Sequence, residues 1–191
     1  MEKIISLFQR NYDGDRNVRD EVVPGAEWVQ EGEGVATRKW DGTCCLIRDG
    51  KLYGRYEVKK GKTPPADFEP ATDVDPETGK QQGWRPVTDD PEWRWHREAF
   101  GAREYEDGTY ELLGPKVQGN PEGLAVHVLY RHGATRYEGV PRDFDGLRKF
   151  FETEDVEGIV WHHDDGRMVK IKAKDFGLKR SKRNQANEER P

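Results

Sequence analysis

The sequence predicts an α+β fold built mainly from antiparallel strands. Two patterns point there. Short β-type runs are separated by Asp-Gly turns at Asp49-Gly50, Asp107-Gly108 and Asp165-Gly166, the pattern of tight hairpins. Helical punctuation or periodicity is confined to residues 91–100 and 143–153. A third observation bears on whether the chain folds at all. An apolar content of 33% against 36% charge leans towards disorder, but six Trp, seven Tyr and seven Phe argue for a folded core with long polar loops.

Taken in order, residues 34–39 read as a strand and 43–48 as a second, returning through the Asp49-Gly50 turn into a third at 52–58. Residues 61–87 are rich in Pro, Gly and Asp without clean periodicity, and are expected to form a long loop. Residues 91–100 read as a helix with proline in its first turn and Gly101 after its end. A strand follows at 109–113, and alternation predicts another at 124–130. Residues 143–153 read as a helix capped by Asp143, with Phe144, Leu147, Phe150 and Phe151 on one apolar face. A last hairpin joins 158–162 to 167–172. Beyond Lys174 the composition turns polar, and residues 181–191 are expected to fray.

A chain of 191 residues is long enough for one cored domain, or a domain with a tail. No apolar run approaches a membrane span, and the N-terminus turns polar too soon for a signal peptide. The only cysteines, Cys44 and Cys45, are adjacent, which disfavours a disulfide framework and fits a reducing cytoplasm. Net charge is −5, yet charge is segregated. Residues 61–92 hold eight acids and three bases, whereas residues 167–183 hold eight bases and one acid. Such segregation predicts a basic surface for an anion, or a solvated basic end.

The chemistry concentrates around Thr37-Arg38-Lys39-Trp40-Asp41-Gly42-Thr43. A lysine ends a β-type run, the chain turns, and an acid and a glycine follow at fixed offsets. A nucleophilic lysine must lose its proton, which desolvation or neighbouring cations favour. The glycine lets backbone approach a ligand closely. Alone, the tetrapeptide better describes an ordinary exposed lysine at the end of a strand. Downstream, Tyr110-Glu111-Leu112-Leu113-Gly114 sets a carboxylate in an apolar strand, and Glu157-Gly158-Ile159-Val160 repeats the pattern. Lys170-Ile171-Lys172 places two lysines on one strand face, with Ile171 on the other. His162-His163 is a poor metal pair because adjacent strand residues point apart. Asp73, Asp75 and Glu77 lack the glycine and terminal acid of a calcium loop.

In that order, K-x-D-G, strand glutamate, E-G-I-V and K-x-K resemble the covalent nucleotidyltransferases, the polynucleotide ligases and mRNA capping enzymes. The run Lys39-Trp40-Asp41-Gly42-Thr43-Cys44-Cys45, with Tyr110 to Lys116, is similar to a small ATP-dependent RNA ligase family with K-x-D-G-T-C-C at the nucleophile. Many ligases have arginine where this chain has Cys44, a departure that favours the RNA-ligase subgroup.

The resemblance implies a single nucleotidyltransferase (adenylation) domain over residues 1–176, a basic flexible tail over 177–191, and no OB-fold domain. It implies that Lys39 attacks the α-phosphorus of ATP and carries AMP, with Lys170 and Lys172 on the α-phosphate. Arg38, Asp41, Gly42, Arg55, Glu111 and Tyr130 would bind nucleotide, with Glu111 on the ribose and Tyr130 or His127 under the adenine. Glu157 would help hold Mg²⁺ or Mn²⁺. The partner implied is RNA with 5′-phosphate and 3′-hydroxyl ends, contacted by Lys179, Arg180, Lys182 and Arg183. No membrane and no obligate protein partner is implied. The alternatives are an mRNA guanylyltransferase-like enzyme and an inactive nucleotide- or RNA-binding module.

Overall fold

The computed structural model describes residues 4–180. The expectations for residues 181–191, Lys182 and Arg183 among them, lie outside the described residues. The described residues group into two compact units, one formed by Asp41–His132 and one by residues 4–40 and 133–180.

The chain starts in the second of these units with β1 (Ile5–Ser6), β2 (Phe8–Arg10), β3 (Val18–Val22), the short α1 (Glu27–Gln30) and β4 (Val35–Lys39). It passes into the other unit with β5 (Thr43–Arg48), β6 (Lys51–Val58), β7 (Glu69–Pro70), β8 (Gln81–Pro86), a 3-10 turn at Pro91–Trp93, α2 (Arg94–Gly101), β9 (Gly108–Leu113) and β10 (Val128–Arg131). It returns with α3 (Phe144–Thr153), β11 (Gly158–His162), β12 (Met168–Lys172) and a 3-10 turn at Ala173–Phe176.

Within Asp41–His132 the strand order is β10-β9-β5-β6-β8-β7, antiparallel throughout. Cys45, Ile47, Leu52, Tyr110, Leu112 and Leu129 form its buried core with Ala99 of α2. The other unit carries the order β1-β12-β11-β4, in which only β1 and β12 run parallel, and a separate β2–β3 pair. Its core joins Leu7, Phe8, Leu147, Phe151, Ile159, Trp161, Val169 and Ile171. α3 forms as the sequence predicts: the Asp143 carboxylate accepts the Gly146 N–H at 2.8 Å, and Leu147 and Phe151 face the core. The α+β class is therefore what the residues form.

Three expectations need correction. Residues 61–87 are not one loop, because β7 and β8 extend the sheet there. β8 looked irregular because its stabilising contacts are polar: Arg55 donates to Gln82 at 3.2 Å and lies 4.9 Å over the Trp84 ring. The strand expected at 124–130 is only Val128–Arg131. Asn120 ties the chain into a turn before it, exchanging bonds with Leu124 of 2.9 and 3.0 Å. The helix expected at 91–100 opens as a 3-10 turn and takes in Gly101. β1 to β3 and α1 carried no period long enough to read.

Candidate functional site

One cluster sits on β4, β11 and β12. Register places Gly158 opposite Lys39 on one side and Lys172 on the other, with Glu157 just before it. The position demands glycine, since a Cβ there would lie 2.3 Å from the Ile171 carbonyl oxygen. Glu157 is held between two ammonium groups, with Lys39 Nζ donating to Oε2 at 2.6 Å and Lys172 Nζ to Oε1 at 2.5 Å. The three side chains retain 22%, 13% and 18% exposure for Lys39, Glu157 and Lys172, so the charges are largely but not wholly removed from water.

The electrostatics follow from that packing. Burial pushes the Glu157 carboxyl up, but Lys39 and Lys172 together outweigh it and hold the group below the ordinary value. Lys170 lies two residues from Lys172 on the same strand face. Burial first, and then the charges of Lys172 and Lys39, bring it down from 10.5 to about 8. Lys39 is thus surrounded by cations, as the motif implies, but it is also ion-paired. An attacking amine must be neutral, so that pair has to open before the lysine can react.

Several residues that the motifs did not mark fix this cluster. Asp175 is 3% exposed; it accepts the Lys172 backbone N–H at 2.9 Å and pairs with Arg10, setting the end of β12. Arg142 donates to the carbonyls of Val29, Glu33 and Gly34, fastening the entry to β4. Thr37 donates to the Val160 carbonyl at 3.1 Å and locks β4 onto β11. Arg38, by contrast, is one of the expected nucleotide-binding residues, and it stacks 4.1 Å over the Trp40 ring.

A second cluster lies within Asp41–His132. Glu111 is 7% exposed, on β9 between Cys44 of β5 and Tyr130 of β10. Its Oε1 accepts the Gly42 N–H at 3.1 Å, and its Oε2 meets His132 Nε2 at 2.8 Å. A Cβ on Gly42 would fall 2.2 Å from the Leu112 carbonyl oxygen. The Asp41 N–H donates to Glu122, itself buried in a loop, at 3.3 Å. Glu122 sits in an aperiodic stretch and gave no signal. His132 was legible in principle, because it follows Tyr130 at strand spacing, but the expected strand stopped one register pair short.

The remaining predicted residues are placed as follows. Arg55 lies on β6, and its Nη1 is buried without a hydrogen-bond partner. His127, the other adenine candidate, is engaged on several sides. It stacks on Trp95 with centroids 4.6 Å apart, and its two nitrogens engage Glu98 and the Lys116 N–H. Lys179 is exposed, whereas Arg180 is only 14% exposed and turned onto Asp155 at 3.2 Å. Of these two bases Lys179 is the outward one.

The sequence profile of the RNA ligase 1 family matches residues 97–191. RNA ligase 1 of Danio rerio is 45% identical over 80 residues, 37% of this chain and 25% of that protein. RNA ligase 1 of Rattus norvegicus is 26% identical over 219 aligned positions, 75% of this chain and 67% of that protein, and that of Mus musculus gives the same values. Over these stretches the chain is similar to RNA ligase 1. The profile match includes Glu111, Tyr130, Glu157, Lys170 and Lys172, and begins after Lys39. The alignments span a quarter of the Danio rerio protein and two thirds of the Rattus norvegicus one. Among the described residues, no helix is long and apolar enough to cross a membrane.

A divalent cation suits part of this chemistry. Glu157 offers hard oxygen donors, and Mg²⁺ needs only one or two carboxylates beside water and substrate phosphate. Both Glu157 oxygens are engaged by lysines, so such an ion would bind through water or as an ammonium withdraws.

Proposed function

We propose that this chain is an ATP-dependent RNA ligase that joins a 5′-phosphate to a 3′-hydroxyl through a covalent lysyl-AMP. The observation that carries the reading is Glu157 held between Lys39 and Lys172, with the partly desolvated Lys170 beside them, in a chain similar to RNA ligase 1. A lysine at a strand end, surrounded by further cations, suits attack on an anionic phosphorus.

In the first step Lys39 Nζ, after losing a proton, attacks the α-phosphorus of ATP. The N–P bond forms as the bond to pyrophosphate breaks. Lys170 and Lys172 stabilise the charge that builds on the α-phosphate oxygens. A bound Mg²⁺ or Mn²⁺ at Glu157 would supply further neutralisation of phosphate charge. Glu111 holds the ribose hydroxyls, its orientation fixed by the Gly42 N–H and His132. Tyr130 stacks on adenine, while Arg38, Asp41 and Arg55 complete the nucleotide contacts. The RNA 5′-phosphate oxygen then attacks the lysyl-AMP and releases Lys39. Last, the 3′-hydroxyl attacks the activated phosphate, and AMP leaves. Lys179, with Arg180 and the more distal Lys182 and Arg183, would contact RNA phosphates.

The test supplies 5′-phosphorylated RNA, ATP and Mg²⁺ or Mn²⁺, and scores joined strands. The reading expects joining with ATP and a free 3′-hydroxyl, and none when either end is blocked. Labelling of the protein by α-labelled GTP but not ATP would instead favour guanylyl transfer. No label and no joining would leave a binding module.

A further inference from the structure

A sulfur, a nitrogen and an oxygen donor converge on one face of the six-stranded sheet. Cys44 on β5 is directly cross-strand from Glu111 on β9. Glu111 is cross-strand from Tyr130 on β10, and His132 follows Tyr130 at the two-residue spacing that keeps a side chain on the same face. The His132 N–H still bonds across to Thr109, so the strand line holds to that point. One donor atom each from Cys44, Glu111 and His132 lies within 4.8 Å of the other two. Cys45, by contrast, points to the opposite face and is fully buried in the core.

We propose that Cys44, Glu111 and His132 form a binding site for a thiophilic divalent cation, Zn²⁺ in particular, and that its occupation switches the protein off. Thiolate, imidazole and carboxylate are the three donor types zinc takes. Three protein ligands leave a fourth position for water. Donors on one zinc ion sit about 3.3–3.8 Å apart, so closure needs movements of about an ångström. Mg²⁺ is excluded by the same chemistry, because it avoids sulfur and nitrogen. On binding, the Cys44 thiol gives its proton to solvent, neutral His132 gives a ring nitrogen and Glu111 gives Oε2. That oxygen is then lost both to His132 and to the nucleotide ribose. The inhibitory consequence rests on the ribose role proposed above for Glu111; the metal site itself does not.

Co²⁺ reports such a site by its visible bands and by a thiolate-to-cobalt charge-transfer band. Titration of tag-free protein with Co²⁺ should give both at one ion per chain, and Zn²⁺ should bleach them. Cys44→Ser should lose the charge-transfer band and bind Zn²⁺ at least about tenfold more weakly, since loss of even an outer-shell partner costs about that. In parallel, Zn²⁺ should inhibit self-adenylation of the wild type, and Cys44→Ser, with unchanged basal activity, should need at least tenfold more. The absence of a thiolate band in the wild type, or its survival in Cys44→Ser, would overturn the site. Equal inhibition of the two proteins would overturn the switch. If the chain forms no adenylate at all, the ligase reading fails while the cobalt bands still decide the site.

Discussion

Replacing Glu157 with glutamine removes the one negative charge that Lys39 and Lys172 share, while preserving shape. The two ammonium groups are then left close together, with Lys170 nearby and no carboxylate between them. Breaking a buried ion pair by removing one partner costs about 3–5 kcal/mol. The 22%, 13% and 18% exposure of the three side chains admits some solvent screening. Glu157→Gln should therefore destabilise the fold by about 2–3 kcal/mol at pH 7. For a chain of this size that lowers the urea midpoint by roughly 1 M. The effect must depend on pH. Glu157 has a folded-state value below its unfolded one, so its contribution is full above about 4.5 and is lost as pH falls through the lower folded value. Urea melts of both proteins, followed by fluorescence and circular dichroism from pH 7 down to acid, read the gap directly. A difference under about 0.5 kcal/mol at pH 7, or one unchanged in acid, would refute the charge-sharing argument.

Three further outcomes follow from the geometry. Lys170 titrates near 8 in the folded chain against 10.5 unfolded, so the unfolded state binds more protons between those values and stability should rise across that window. Lys170→Met should flatten that rise, by up to about 3 kcal/mol, in melts at pH 7 and 10.5; a rise that persists would assign it to another group. Glu111→Ala deletes a carboxylate oriented by two partners, and should weaken ATP binding roughly 10- to 100-fold by calorimetry while leaving the urea midpoint contribution of Glu157→Gln intact. An unchanged ATP affinity would remove Glu111 from the nucleotide site. Gly158→Ala puts a methyl group 2.3 Å from the Ile171 oxygen, which being backbone cannot rotate away. It should cost about 2–3 kcal/mol and misplace Lys39 relative to Lys172; wild-type stability would show the strands less tightly joined than described.

The legible parts of this protein were those with strict period or chemical punctuation. β4, β5, β6, β9, β11 and β12 announced themselves by alternation and Asp-Gly turns, and α3 by its Asp143 cap. β8 did not, because Gln82 and the buried Trp84 both engage Arg55 across the strands, and such pairing carries no hydropathy signal. The pairing of Glu157 with both Lys39 and Lys172 was also hidden. Motif order places those residues in one chemistry, but only the register of Gly158 against both lysines reveals the shared carboxylate. Asp175 and Glu122 were illegible for a different reason: each acts on a backbone N–H from a loop or turn, where no spacing rule applies. The Arg180–Asp155 pair was hidden as well, because a run of bases does not disclose that an acid engages one of them.

Lys39 is the proposed nucleophile. Incubation with ATP and Mg²⁺ or Mn²⁺, followed by proteolysis under mildly alkaline conditions and mass spectrometry, locates the adenylate on one side chain. The account predicts a single AMP adduct on Lys39, absent from Lys39→Ala and from Lys39→Arg, whose guanidinium keeps its proton. An adduct on Lys170 or Lys172, or an adduct that survives in Lys39→Ala, would contradict it.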